Sequence, residues 1–137
     1  TQHGSFDAHT NGIALQEGLL TDVAGGIYDF YSDMKQAKNS DDVIIFVFSE
    51  FGRRVRDNGN GTDHGSGGVA FVIGDAVEGG NYGEYPSLKS QDLLEGDLRF
   101  NLDFRSLYTE IMEDWLEVDA RPVVKGEYEK VGFLATK

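Results

Sequence analysis

The chain has 137 residues, 39% of them hydrophobic, with nine Phe, six Tyr and one Trp, enough for one domain with a real core. Its 24 acidic and 12 basic residues leave a net charge of -12, which argues against nucleic-acid and anionic-membrane partners, since both need positive charge. With no cysteine, disulfides and thiolate metal sites are excluded, so any metal site must use carboxylates and the three histidines, His3, His9 and His64.

Residues 1–12 are polar and turn-rich, with neither the basic nor the apolar stretch of a signal peptide, and no run approaches the length of a membrane span. Apolar positions at Leu19, Leu20, Val23, Ala24, Ile27, Tyr28, Tyr31 and Met34 then predict an amphipathic helix over 13–37. After the turn Asn39–Asp42, the unbroken run Val43–Phe48 predicts a strand buried on both faces, as in a parallel sheet. Residues 52–68, charged and then glycine-rich, read as a loop. Val69–Ile73 reads as a second buried strand and the stretch VEGGNYGEYPSL as a long loop. Asp103 is placed to cap a second helix whose stripe is Phe104, Leu107, Tyr108, Ile111, Met112, Trp115 and Leu116. A tail from Arg121 brings Val131, Phe133 and Leu134 back toward the core. The order helix, strand, loop, strand, helix predicts α/β architecture, and so few strands suggest a piece of a larger sheet.

Three places can carry chemistry. In SFDAHTN, Asp7 and His9 stand two apart, a spacing that puts both on one face of an extended segment; the competing reading is a turn with an incidental histidine. In SEFGRR, directly after the buried strand, Glu50 emerges where open α/β sheets bind ligands, with Arg53 or Arg54 near for an anion; the competing reading is a solvated strand end. In GNGTDHGSGG, Asp63 and His64 are presented by glycine-rich backbone, either as part of a site or as a mobile surface loop. Together these supply Asp7, His9, Glu50, Asp63 and His64, carboxylate and imidazole donors that suit a divalent metal such as Zn or Mn.

The succession FDAH, VIIFVFSEFGRR, NGNGTDHG, FVIGDAVEGGNYGEYPSL and LDFRSLYTEIMEDWL resembles the domain of unknown function 1501 family, itself similar to sulfatases within the alkaline-phosphatase-like superfamily. The pairing of SEFGR with GTDHG carries most of that resemblance. It implies a partial doubly wound sheet with flanking helices, the C-terminal portion of an alkaline-phosphatase-like fold. Residues 1–137 would then be a single domain or a C-terminal fragment of a larger sulfatase-like domain. On the preferred register Glu50 and Phe51 stand where the superfamily carries Asp and His; a rival register equates Asp63-His64 with that pair.

The implied function is the metal-binding C-terminal half of a phosphate or sulfate ester hydrolase, incomplete for catalysis alone. Its nucleophile would lie outside the chain, with Arg53 as an anion contact. Its partners would be a small anionic ester and a missing N-terminal segment or second chain, and its location periplasmic or extracellular. The alternative is a non-catalytic structural or binding module that retains the fold. A third, weaker reading is a carbohydrate- or surface-binding domain using Tyr82, Tyr85 and Trp115, although Trp115 lies on the apolar stripe.

Overall fold

The computed structural model describes residues 6–10 and 12–135; the turn-rich reading of residues 1–5 and 11 falls outside them. The first helix, α1, runs Gly12–Ala37, close to the span its apolar spacing predicts. Only Leu19 is buried on it, while Ile13, Leu15, Leu20, Tyr28 and Phe30 are exposed. Its C-terminal end is tied down by Asp75. Lys35 ion-pairs with that carboxylate, Tyr31 donates its hydroxyl to it, and buried Ser40 donates Oγ at 2.6 Å. Lys35 first, then Ser40 and Tyr31, hold the Asp75 carboxyl well below the usual carboxylate range.

The strands form two separate antiparallel pairs. β1 (Ile44–Val47) pairs with β4 (Phe71–Gly74), Ile44 opposite Gly74 and Val47 opposite Phe71. β2 (Gly52–Asp57) pairs with β3 (Thr62–Gly65), Gly52 opposite Gly65 and Arg53 opposite His64. This corrects the expected partial doubly wound sheet. The molecule is a small mixed α/β domain with two open two-stranded sheets. Parallel pairing of β1 and β4 requires a crossover, usually a helix, but the connection is spent on the β2–β3 hairpin. With a partner strand on one edge only, β1 is half-buried rather than buried on both faces.

The expected loop over 52–68 is therefore mostly hairpin. Its strand GRRVRD shows no apolar alternation, so periodicity does not reveal it. Its turn does have the right chemistry. Gly59 takes φ +103°, Asn58 donates its N–H to the Gly61 carbonyl at 2.8 Å, and the Asp57 and Asn58 side chains accept from the amides two residues on. A bulge between Arg53 and Asp57 breaks the register.

Asp103 caps α2 (Phe104–Glu110) by accepting the Arg105 N–H at 2.9 Å. The helix then widens into a π turn over Ile111–Trp115, and a short α3 follows at Arg121–Val124. The tail docks as its apolar cluster suggests. Phe133 is 2% exposed and packs in the small core with Ala120 and Val124, and Leu134 bridges to Val77 just beyond β4. Among the described residues no helix is long and apolar enough to cross a membrane.

Candidate metal centre

The segment Phe6–Thr10 lies against the tip of the β2–β3 hairpin. Ala8 turns back to donate its N–H to the Phe6 carbonyl at 3.0 Å, and His9 Nε2 stands 3.1 Å from Asp7 Oδ1. Gly61 permits the approach, since a Cβ there would stand 2.5 Å from the His9 carbonyl oxygen. At the base of the hairpin the Gly67 carbonyl crosses β2 so closely that a Cβ on Gly52 would sit 1.6 Å from it.

Arg53 and His64 are direct cross-strand partners, so their side chains leave the same face of the hairpin. Both converge on Asp7. His64 Nε2 lies 2.7 Å and an Arg53 guanidinium nitrogen 3.1 Å from Asp7 Oδ1. Arg53 is itself fixed by donating to the Thr62 carbonyl at 3.0 Å and to the Phe6 carbonyl at 3.5 Å. Hydrogen bonding to His64, and then to Arg53, holds the Asp7 carboxyl below its ordinary range against a partial desolvation.

Asp7, His9 and His64 thus each offer one ligand atom, and these atoms lie within 4.8 Å of one another. Donors about 2.0–2.1 Å from one tetrahedral zinc stand about 3.3 Å apart; the separations of 2.7 and 3.1 Å around Asp7 lie near that spacing, and 4.8 Å bounds the separation of the two imidazole donors. All three side chains are 44% exposed, open enough for an ion to enter from solvent. The cluster is a His/His/Asp group capable of coordinating a metal ion.

Asp63 stands one step outward. Its Oδ1 accepts from the Asn58 amide at 3.0 Å and faces His9 Nδ1 at 3.3 Å. A proton on His9 Nδ1 shared with Asp63 leaves Nε2 as the lone-pair donor beside Asp7. The Asn58 bond, with His9 second, holds the Asp63 carboxyl below its ordinary range. Glu50 is exposed in the connection after β1 and, with Asp63, lies outside the group of three close ligand atoms.

Two contributors are not evident from sequence. Asn58 braces both Asp63 and the His9 carbonyl, the latter at 3.4 Å. Phe51 stacks on the His64 ring. Only the hairpin register brings them in; the Asn-Gly-Asn-Gly turn at 58–61 was the one available signal. Beside the group, Arg54, Arg56, Asp57, Asn58, Asp63, Glu95 and Gly96 line an open depression of about 630 Å³.

No curated protein and no solved structure matches the chain. The family described as Protein of unknown function (DUF1501) matches residues 1–125, nearly the whole length rather than a C-terminal part. That span, with a ligand group at residues 7–64, overturns the expectation of a metal-binding C-terminal half of an ester hydrolase. It likewise corrects the readings built on that half, a catalysis and a partner set defined by a separate N-terminal portion, because the family match takes in nearly all of this chain as one span. A match running from residue 1 to residue 125 of 137 shows that the chain belongs to the DUF1501 family.

Proposed function

We propose that this domain is a metal-binding protein that holds a divalent first-row ion, Zn or Mn, through Asp7 Oδ1, His9 Nε2 and His64 Nε2. The observation that carries the reading is the convergence of three ligand atoms within 4.8 Å from two chain segments more than fifty residues apart. Two imidazoles with one carboxylate are a borderline donor set that favours such ions over Ca or Mg. Three protein ligands leave at least one position for water, the donor count of reactive rather than closed structural zinc sites. The chemistry such an ion supplies when bound is Lewis acidity toward a coordinated water or oxygen ligand. The chain's own residues prepare the site. Arg53 fixes the Asp7 carboxylate, Asp63 fixes the His9 tautomer, and Asn58 fixes Asp63.

The test is metal content after incubation with Zn or Mn and gel filtration, with His64→Ala in parallel. About one ion per chain is expected in the wild type, and retention at least about 100-fold weaker in the variant, since a ligand should matter at least as much as a supporting group. A wild-type chain that emerges metal-free from saturating Zn and Mn would sink the proposal.

A further inference from the structure

Phe51 sits at the entry to β2, and its ring lies flat on the His64 imidazole, centroids 3.7 Å apart and planes 9° from parallel. Two electron-rich rings avoid that arrangement. Their quadrupoles repel face to face and drive aromatic pairs to offset or edge-on geometries, commonly about 4.5–7 Å between centroids. The aromatic contacts around Tyr108 follow that habit, with Phe46 and Phe104 edge-on at 5.6 and 5.8 Å. A stack as close as that of Phe51 suits a ring that carries positive charge. An imidazole that shares its lone pair with a cation is such a ring, and a phenyl face attracts it. The Arg53 guanidinium carbon lies 5.0 Å from the same Phe51 centroid, so this phenyl ring already has one cation for a neighbour. His64 is also stacked with His9 at 4.8 Å and 25°. One column of rings therefore contains both candidate imidazole ligands and ends on Phe51.

We propose that Phe51 is a positioning residue for His64: its π face fixes the imidazole plane with Nε2 aimed at Asp7 and favours the metal-bound form of that ring over the free one. The proposal rests on the metal-binding reading above. The position bears on specificity as well as affinity, because a phenyl group covering one face of a ligand restricts the directions from which a further ligand can approach the ion.

The experiment compares zinc dissociation constants of the wild type, Phe51→Leu and Phe51→Tyr by competition with a chromophoric chelator, alongside the Tm of each metal-free protein. Leu keeps an apolar side chain and removes the π face, whereas Tyr keeps both. The expected result is zinc binding about three- to tenfold weaker in Phe51→Leu, wild-type affinity in Phe51→Tyr, and metal-free Tm values unchanged across the three. Equal affinity in Phe51→Leu and wild type would overturn the role of Phe51 and leave the metal site standing. A weakened Phe51→Leu with an equally lowered metal-free Tm, not restored by Tyr, would reduce Phe51 to packing and also overturn it. A wild type that binds no zinc would overturn the metal reading itself, and the positioning role with it.

Discussion

At the scale of a single residue, Glu110 is the charged side chain buried among the described residues. Its side chain belongs to a residue 1% exposed, and both carboxylate oxygens accept from backbone: Oε2 from Val131 at 2.7 Å and Gly132 at 2.6 Å, Oε1 from Leu134 at 2.7 Å. Hydrogen bonds to a charged acceptor are worth about 1.5–3 kcal/mol each net, and orphaned buried donors cost a comparable amount. Glu110→Ala should therefore destabilise the chain by about 3 kcal/mol or more, read as a shift in the urea midpoint. Glu110→Gln, with one carbonyl oxygen for three donors, should fall between. A change below about 0.5 kcal/mol for Glu110→Ala, the scale of an ordinary surface substitution, would show that the tail is held by its other ties, the buried Phe133 and the bridge from Leu134 to Val77. Nothing in the sequence marks Glu110 for this part. It reads as a polar position on an amphipathic helix, and its partners are main-chain amides, which carry no side-chain signature.

At the scale of elements, Asp75 joins the end of α1, the turn at Ser40 and the end of β4. Its carboxyl is depressed in the folded chain, so by linkage its contribution to stability is complete above the ordinary aspartate value of 3.8 and is lost as pH falls through the lower folded value. Lys35 is raised by the same contact, with the opposite sense: its contribution is complete below 10.5 and is lost as pH rises through the higher folded value. A plot of Tm against pH should thus fall at both ends, and Asp75→Asn should lower the plateau and flatten both limbs. Limbs of unchanged steepness in the variant would place the acid and base sensitivity elsewhere. The elements themselves are unevenly legible. The apolar spacing of α1, the Asp103 cap of α2 and the β-branched run of β1 each carry a local signal, and the structure places elements there. Strand pairing carries none in a six-residue run such as Val43–Phe48, which reads alike for a parallel and an antiparallel neighbour. The β2–β3 hairpin is hidden because neither of its strands, GRRVRD and TDHG, alternates apolar with polar residues.

At the scale of the whole molecule, the accessible surface is 9985 Å², whereas a compact chain of 15.1 kDa would expose about 7,100 Å² by the usual scaling. The excess lies partly on apolar groups, with Ile13, Tyr28, Val69, Phe71 and Phe104 all well exposed. Folding therefore hides roughly four-fifths of the surface that a compact chain of this mass would hide. Because the urea m value scales with surface exposed on unfolding, it should be about four-fifths of the value for a compact domain of equal length. An m value at the compact level would mean that the chain in solution closes up further than the structure does. The site is likewise only partly legible at this scale. Scarcity of histidine makes Asp7, His9 and His64 visible as candidates, but their meeting depends on a hairpin register and on glycines at 52 and 61 that let backbones cross, neither of which periodicity reports.

The separation of 57 residues between Asp7 and His64 also has a meaning in time. A growing chain exposes Asp7 and His9 first and His64 roughly 3–11 s later, at the usual 5–20 residues per second of synthesis. Through that interval the two early donors form an incomplete pair with no hairpin to lean on. Closing the loop between them and His64 then costs an entropy that must be met by the folding of everything inside it, α1 and β1 included. The centre therefore comes into being late, as a product of assembly, and a short peptide copied from either segment would carry only part of its donor set.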